Sequence, residues 1–289
     1  MKETVKLILL ALVLWGAHLT KAQQEESDVG SIDTTELDEQ NGTNQTSGGN
    51  RAGRLFNGVP ATSANQLYSV YGNINSGGKF VGGAIISNTQ VLTSASAVQS
   101  AGTVNSFTVA VGSNPNVGNA KVYNYASVEI HKDFDSTTRA NDVAIVTING
   151  TFDGAPNVHP ITIATREIVV STTNRTTCVV VGYGQTGDFA YTYTMSQAQY
   201  ELLTDQECTT AFNQTLPPSM LCARAVSGYA CRVDRGGPLV CNGLLYGILT
   251  DQTGCTSANP PVVQKFAKLP VITGPWYVPP PRKNYVSCP

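Results

Sequence analysis

Short apolar strands separated by turns of Gly, Asn and Ser follow one another from Leu55 onwards, and this pattern restricts the possible folds most strongly. The clearest predicted strands are residues 84–86, 91–93, 107–111, 122–130, 143–148, 178–181 and 244–249. Many short strands at regular spacing are typical of an all-β barrel or sandwich. The stretch that begins at Leu55 is about 235 residues long, which is a usual length for one all-β unit. The sequence therefore predicts a single all-β domain.

The first 22 residues have the pattern of a secretory signal peptide. Lys2 and Lys6 precede an apolar run over residues 7–15, and Ala22 supplies the small residue expected before a cleavage site. This run is shorter than the ~20 apolar residues that cross a bilayer, which disfavours the alternative of a membrane anchor. We therefore expect an exported chain without membrane insertion.

Residues 23–54 form a predicted leader whose charge differs sharply from that of the remainder. Between residues 23 and 50 there are seven acidic residues and no basic ones, whereas residues 51–289 contain 15 basic and 12 acidic residues. A polar, acidic segment with few aromatic residues is expected to be disordered. Two roles stay open for this leader: it shields a basic patch of the domain, or it is only a solvated extension.

Cysteines and glycosylation motifs agree with export. All seven cysteines lie at or after residue 178, so disulfides are expected and one cysteine is left over. Asn-X-Ser/Thr sequons occur at Asn41, Asn44, Asn149, Asn174 and Asn213. We expect some of these positions to carry glycans at the surface.

One segment carries the strongest functional signal. Residues 231–241 read Cys-Arg-Val-Asp-Arg-Gly-Gly-Pro-Leu-Val-Cys. This segment resembles the nucleophile loop of chymotrypsin-like serine peptidases, whose pattern is Gly-Asp-Ser-Gly-Gly-Pro. Asp234 and residues 236–238 match, while Arg235 stands at the position of the serine. A guanidinium carries only donors and has no lone pair with which to attack a carbonyl.

Two further segments resemble the rest of that family's catalytic triad, which combines a hydroxyl, an imidazole and an orienting carboxylate. Residues 93–97, Thr-Ser-Ala-Ser-Ala, match the family's Thr-Ala-Ala-His-Cys, so Ser96 stands at the histidine position. A serine hydroxyl does not hold a proton near neutral pH. Residues 141–146, Asn-Asp-Val-Ala-Ile-Val, match Asn-Asp-Ile-Ala-Leu-Leu and retain Asp142. The resemblance implies that no catalytic set is intact.

Other positions of the resemblance also depart from the family pattern. The two cysteines that flank the histidine motif are replaced together, by Val81 and Ala97, which we expect to pack in the same space. The glycine of the oxyanion hole aligns with Val233, a β-branched residue that tolerates unusual backbone angles poorly. The specificity pocket and its edge strand align with altered residues: Tyr229, Ala230, Thr250, Asp251, Gln252 and Pro261.

The resemblance also implies a fold and a disulfide pattern. It implies two packed six-stranded antiparallel barrels over residues 55–273, few short helices including one at residues 202–212, and a Pro-rich tail at 274–289. The implied disulfides and the leftover cysteine are Cys178–Cys241, Cys208–Cys222, Cys231–Cys255 and Cys288. Cys288 is expected either to link two chains as a disulfide-bonded dimer or to be an exposed thiol.

Arg54 and Leu55 resemble the activation junction of the family, where cleavage after a basic residue frees an apolar N-terminus. In active relatives the new ammonium pairs with the aspartate that corresponds to Asp234. Two interpretations stay open: a conformational switch that still reshapes the loops around Val233, or an inherited junction without a present role. Arg235 has three possible roles, as a pocket plug, as a recognition group, or, the one we favour, in a local ion pair with Asp234 or Asp142.

The histidines outside the signal peptide, His131 and His159, are expected to be solvent-facing loop residues. No pair has zinc-ligand spacing, and no Gly-rich phosphate loop or calcium-loop pattern occurs in the sequence. The sequence therefore predicts neither a metal nor a cofactor.

Three classes of function remain. The resemblance favours a secreted, non-catalytic homologue that binds an extracellular protein, such as a protease or zymogen, as a cofactor, adaptor or decoy in an immune or clotting cascade. The alternative is an effector that binds glycans, microbial surfaces or a receptor outside any cascade. The least favoured class is a residual serine-type endopeptidase. No nucleic-acid partner is predicted.

Overall fold

The computed structural model describes residues 55, 58–61, 67–75, 79–100, 107–111, 121–156, 158–184, 195–250 and 262–276, all within one compact unit. Several predictions fall outside these residues. They concern Asn41, Asn44, Arg54, Asp251, Gln252, Cys255, Pro261 and Cys288.

Six antiparallel strands close into a first barrel. A short strand, β1 (Val59–Pro60), comes before it, and the barrel strands are β2 (Ser69–Ile74), β3 (Lys79–Ile85), β4 (Gln90–Thr93), β5 (Phe107–Val111), β6 (Lys121–Ile130) and β7 (Ala144–Ile148). Their order around the barrel is β2-β3-β4-β7-β6-β5. Helix α1 (Ala95–Gln99) follows β4 directly.

A second closed barrel is built from the next six strands. They are β8 (Thr177–Gly182), β9 (Ser196–Leu202), β10 (Met220–Ser227), β11 (Pro238–Cys241), β12 (Leu244–Leu249) and β13 (Val263–Lys268). The ring β9-β10-β13-β12-β11-β8 is closed by pairing of β8 with β9, and β1 adds to β9. Helices α2 (Asp205–Phe212) and α3 (Leu269–Trp276) and a 3-10 turn (Arg232–Asp234) complete the described elements. The predicted all-β architecture of two six-stranded barrels is confirmed.

Alternating burial explains why these segments form barrel strands. In β9 every second residue is buried, so one face of the strand lines the barrel while the other face is more exposed. Tyr200 from this strand packs edge-to-face on Phe266 in the core of the second barrel, with ring centroids 5.8 Å apart. A further apolar cluster, which includes Leu92 and Ile248, joins side chains of both barrels and holds them together.

Disulfides support the second barrel as the resemblance implied. Cys178 on β8 is bonded to Cys241 on the paired strand β11, and Cys208 on α2 is bonded to Cys222 on β10. Cys231 is also disulfide-bonded, while its implied partner lies outside the described residues. In the first barrel, Val81 and Ala97 are buried in one core cluster, as expected for residues that replace a disulfide.

Several local predictions differ from the structure in their bounds. The predicted strand at 84–86 extends back to Lys79, and the predicted helix at 202–212 begins at Asp205. Leu202 is the last residue of β9, and the helix starts only at Asp205 because Thr204 and Glu207 form a capping box at that point. Helix α3 runs to Trp276, so it includes the first residues of the predicted tail.

The prediction for His131 was wrong, since this side chain is buried at the end of β6, where its Nδ1 accepts the N–H of Asp133. Desolvation lowers its pKa below the usual range. His159 is exposed, as expected.

The glycosylation positions that the structure describes, Asn149, Asn174 and Asn213, are exposed, so they are compatible with glycans. Among the described residues, no helix has the length and apolar character needed to cross a membrane.

Candidate functional site

Glycines bring the loop after the 3-10 turn against the first barrel. The N–H of Gly82 on β3 donates to the carbonyl of Arg235, over 2.8 Å. A Cβ atom on Gly82 would lie 2.7 Å from the Cα of Gly237, so any side chain there would push the two barrels apart. Gly236 has a φ of 87°, and a Cβ on it would overlap the hydroxyl of Thr93. These glycines therefore seat Arg235 at the junction of the barrels.

Asp142 and two serines form a buried hydrogen-bonded cluster in the first barrel. Ser96 donates its backbone N–H to Oδ1 of Asp142 over 2.6 Å and its hydroxyl to Oδ2 over 2.7 Å. Ser94 donates its hydroxyl to Oδ1 over 3.0 Å and accepts the N–H of Ala97 as the N-cap of α1. The structure thus brings the predicted positions Ser96 and Asp142 into direct contact.

The chemistry of this cluster follows from its burial. Desolvation raises the pKa of Asp142 above its usual range, although hydrogen bonds from Ser96 and Ser94 act in the opposite direction. The carboxylate receives two hydroxyls and one N–H, and neither hydroxyl can take up a proton near neutral pH. The cluster can therefore stabilise the start of α1.

Arg235 reaches from the second barrel to the end of α1. Its Nη2 donates to the hydroxyl of Ser100 over 2.9 Å, and that hydroxyl donates to the carbonyl of Ala97 over 3.0 Å. The ammonium of Lys79 donates to the carbonyl of Ser100. Two cations thus meet the carbonyl end of the helix, where positive charge is favourable.

The preferred role of Arg235 was wrong. It forms no ion pair with Asp142 or Asp234, both of which belong to the described part of the chain. Arg235 as a whole residue is only 9 % exposed, and the two carboxylates have other hydrogen-bond donors. Arg235 therefore spans the two barrels instead of pairing with Asp142 or Asp234.

The side chain of Asp234, next to Arg235 in the chain, is buried. Its carboxyl accepts the N–H of Cys231 over 2.8 Å and that of Tyr183 over 3.1 Å, and Gly184 adds a third backbone donor. Burial nevertheless raises the pKa of Asp234 to about 7. Leu55 is also buried. It lies close to Asp234, since a Cβ atom on Gly182 would contact both side chains.

The predicted pocket positions that the structure describes are buried. Tyr229 packs with Ala225 and Cys231, and Ala230 donates its N–H to the hydroxyl of Tyr200. Thr250 is also buried. Val233 lies within the 3-10 turn and does not have a positive φ, so its β-branched side chain fits the backbone. In the described ranges, no group of three His, Cys, Asp or Glu side chains is placed to hold a metal.

Sequence reasoning missed two members of the site. Ser94 carried a recognisable signal, since a serine just before a short helical segment is a common N-cap. Ser100 carried none, because its bond to Arg235 joins residues 135 positions apart.

Comparison with known proteins gives consistent matches. The sequence model of the trypsin family matches residues 55–271. A trypsin of Sus scrofa is 28% identical over 203 residues, which cover 66% of this chain and 82% of the relative. Trypsin-1 of Gadus morhua is 26% identical over 227 residues, which cover 76% of this chain and 89% of the relative. Trypsin delta of Drosophila melanogaster is 28% identical over 194 residues, which cover 65% of this chain and 74% of the relative.

Proposed function

This chain belongs to the trypsin family, and we propose that it is a secreted, non-catalytic homologue of serine peptidases that acts by binding another protein. The observation that carries this proposal is the buried cluster of Asp142, Ser96 and Ser94. In a working triad the carboxylate orients an imidazole, whereas here hydroxyls and a backbone N–H occupy both of its oxygens.

The residue at the nucleophile position supports the same conclusion. Arg235 is a permanent cation, and its guanidinium bonds to Ser100 at the end of α1. Loss of triad members in serine peptidases lowers kcat by on the order of 10⁴- to 10⁶-fold. Together the two replacements leave neither a nucleophile nor a base at the positions where the family has them.

A binding role fits what has been retained. The two closed barrels and the disulfides Cys178–Cys241 and Cys208–Cys222 are preserved, so the chain keeps a rigid family scaffold. We propose an extracellular protease or zymogen as the partner, with this chain as its cofactor, adaptor or decoy. Capture of proteases from the source fluid by the purified protein supports this role. Retention on heparin or polysaccharide with no captured protease contradicts it and favours a glycan-binding effector.

We further propose that the junction at Arg54 and Leu55 still works as a switch on Asp234. Support comes from the burial of Leu55 beside Gly182, next to a carboxyl that has backbone donors but a raised pKa. A new ammonium at Leu55 would supply the missing positive charge. Once a partner has been captured, the Arg54→Gln variant, which resists cleavage, should bind it more weakly than the cut wild type. Equal binding would refute the switch and leave the binding role intact.

Activity measurements test the central proposal. The glycosylated protein, intact and cut after Arg54, is assayed against a fluorogenic peptide library and an active-site serine probe. We expect no turnover and no labelling, and the same result for Asp142→Asn. The exposed Asp153→Asn variant serves as a matched control for preparation quality. Turnover that scales with enzyme concentration would contradict the proposal. If it survives changes at both Ser96 and Asp142, the reacting groups lie elsewhere.

A further inference from the structure

A cavity of about 260 Å³ opens at the second barrel, away from Asp142 and Arg235. Its apolar wall consists of Ile168 and Val170, which precede β8, together with Leu202 and Leu221 from β9 and β10. These four side chains belong to, or pack on, the core cluster of the second barrel. The wall is therefore held by the same packing that stabilises the barrel.

The polar end of the cavity contains the buried phenol of Tyr246. Tyr246 is only 3 % exposed, and its oxygen accepts the N–H of Ile168 over 2.9 Å. Its O–H donates to none of the residues that the structure describes. Burial raises the pKa of Tyr246 above its usual range, so the hydroxyl keeps its proton at neutral pH. A hydrogen-bond acceptor inside the cavity would satisfy this donor.

A second donor lies at the same end. The ammonium of Lys268 is 3.1 Å from Oε2 of Glu167, with side chains 12% and 57% exposed, respectively. Lys268 is thus the enclosed partner of this pair, whereas Glu167 extends into solvent. Solvent weakens the hold of the exposed Glu167 on Lys268, so the carboxylate of a ligand can take the place of Glu167.

Charge around the cavity restricts the ligand further. Three charged side chains line the same end of the cavity and influence the pKa of Tyr246 through their charges: Lys268, Glu167 and Asp205. The two carboxylates disfavour a ligand that carries more than one negative charge. The donors of Tyr246 and Lys268 can both bond to one carboxylate head group, whereas an ammonium that reached Glu167 or Asp205 would also face the positive charge of Lys268.

We propose that this cavity binds a small amphipathic monocarboxylate, whose head group accepts a hydrogen bond from the hydroxyl of Tyr246 and displaces Glu167 from Lys268 while its apolar tail covers Ile168 and Leu202. At about 30 Å³ for a group the size of a water molecule, the volume admits roughly nine such groups, which matches an aliphatic acid of medium length. This site is independent of the proposed role in protein binding.

Calorimetric titration of the full secreted protein with octanoate tests the site. We expect saturable binding of octanoate at one site and none of octylammonium, which has the same tail and the opposite charge. Tyr246→Phe removes the O–H donor and should weaken octanoate binding about 10- to 100-fold. Tyr183→Phe makes the same change at a buried tyrosine outside the cavity, whose hydroxyl donates to Ser69, and should leave binding unchanged. Thermal unfolding of each variant confirms that it is folded.

A gain of affinity provides a second readout. Glu167→Gln releases the ammonium of Lys268 and should tighten octanoate binding by up to about fivefold. The site is refuted if octanoate fails to bind both the wild type and this variant. It is equally refuted if octylammonium competes with octanoate, or if Tyr246→Phe binds octanoate as well as the Tyr183→Phe control. These outcomes do not depend on whether the protein hydrolyses peptides or captures a protease.

Discussion

Replacement of Asp234 by Asn tests what this buried carboxyl contributes to folding, because Asn has nearly the same shape and does not ionise. Burial raises the pKa of Asp234 from 3.8 to about 7, against the opposing effect of three backbone N–H donors. One pKa unit corresponds to about 1.36 kcal/mol. The raised pKa therefore corresponds to about 4 kcal/mol of the free energy of unfolding, which is a large share of the stability of an ordinary domain.

The direction of the effect follows from proton linkage. A carboxyl whose pKa is higher in the folded than in the unfolded protein holds its proton more tightly when folded. The contribution of Asp234 to the free energy of unfolding is present in full below about pH 4 and is lost as the pH rises through about 7. Between about pH 4 and pH 8, the uncut wild type should therefore lose about 4 kcal/mol relative to Asp234→Asn.

Urea denaturation followed by circular dichroism at closely spaced pH values measures this difference. Subtracting the two proteins removes the contributions of all other titrating groups, and the exposed Asp153→Asn variant shows the effect of an ordinary aspartate. Parallel stability curves for wild type and Asp234→Asn from pH 4 to pH 8 would refute the reasoning. Protein cut after Arg54 extends the test, because a new ammonium of Leu55 that reaches Asp234 would lower its pKa and flatten the pH dependence.

Three further variants test the packing of the second barrel. Gly182→Ala places a Cβ against the carboxyl of Asp234 and should cost about 1–3 kcal/mol in thermal unfolding, so an unchanged Tm would contradict the described packing. Replacing both Cys208 and Cys222 by Ser opens a loop with a sequence separation of 14 and should cost about 3 kcal/mol in urea; no loss of stability would argue against this disulfide. Thr204→Ala removes the cap of α2 and should cost about 1 kcal/mol, whereas Thr204→Ser should retain most of it.

The positions that the family resemblance singled out show how far prediction from the sequence extends. Matching of short motifs placed Ser96 and Asp142 at related positions, and the structure brings them within hydrogen-bond distance. The same motifs assigned Arg235 to the nucleophile loop, but the expected ion pair with Asp234 or Asp142 was wrong. A charged side chain chooses among partners by three-dimensional geometry, and both candidate aspartates already had closer donors.

The strand and turn pattern of the sequence by itself predicted an all-β domain, and the resemblance to the peptidase family implied the two barrels and the disulfides Cys178–Cys241 and Cys208–Cys222. Strand patterns and turn residues are local, and motif spacing survives in the chain without reference to contacts. Only the tertiary structure decided that Arg235 spans the barrels to reach Ser100 and that His131 is buried. Such features depend on which surfaces meet when distant segments pack, and that packing also sets the burial and the hydrogen-bond donors that decide how strongly an enclosed carboxyl holds its proton.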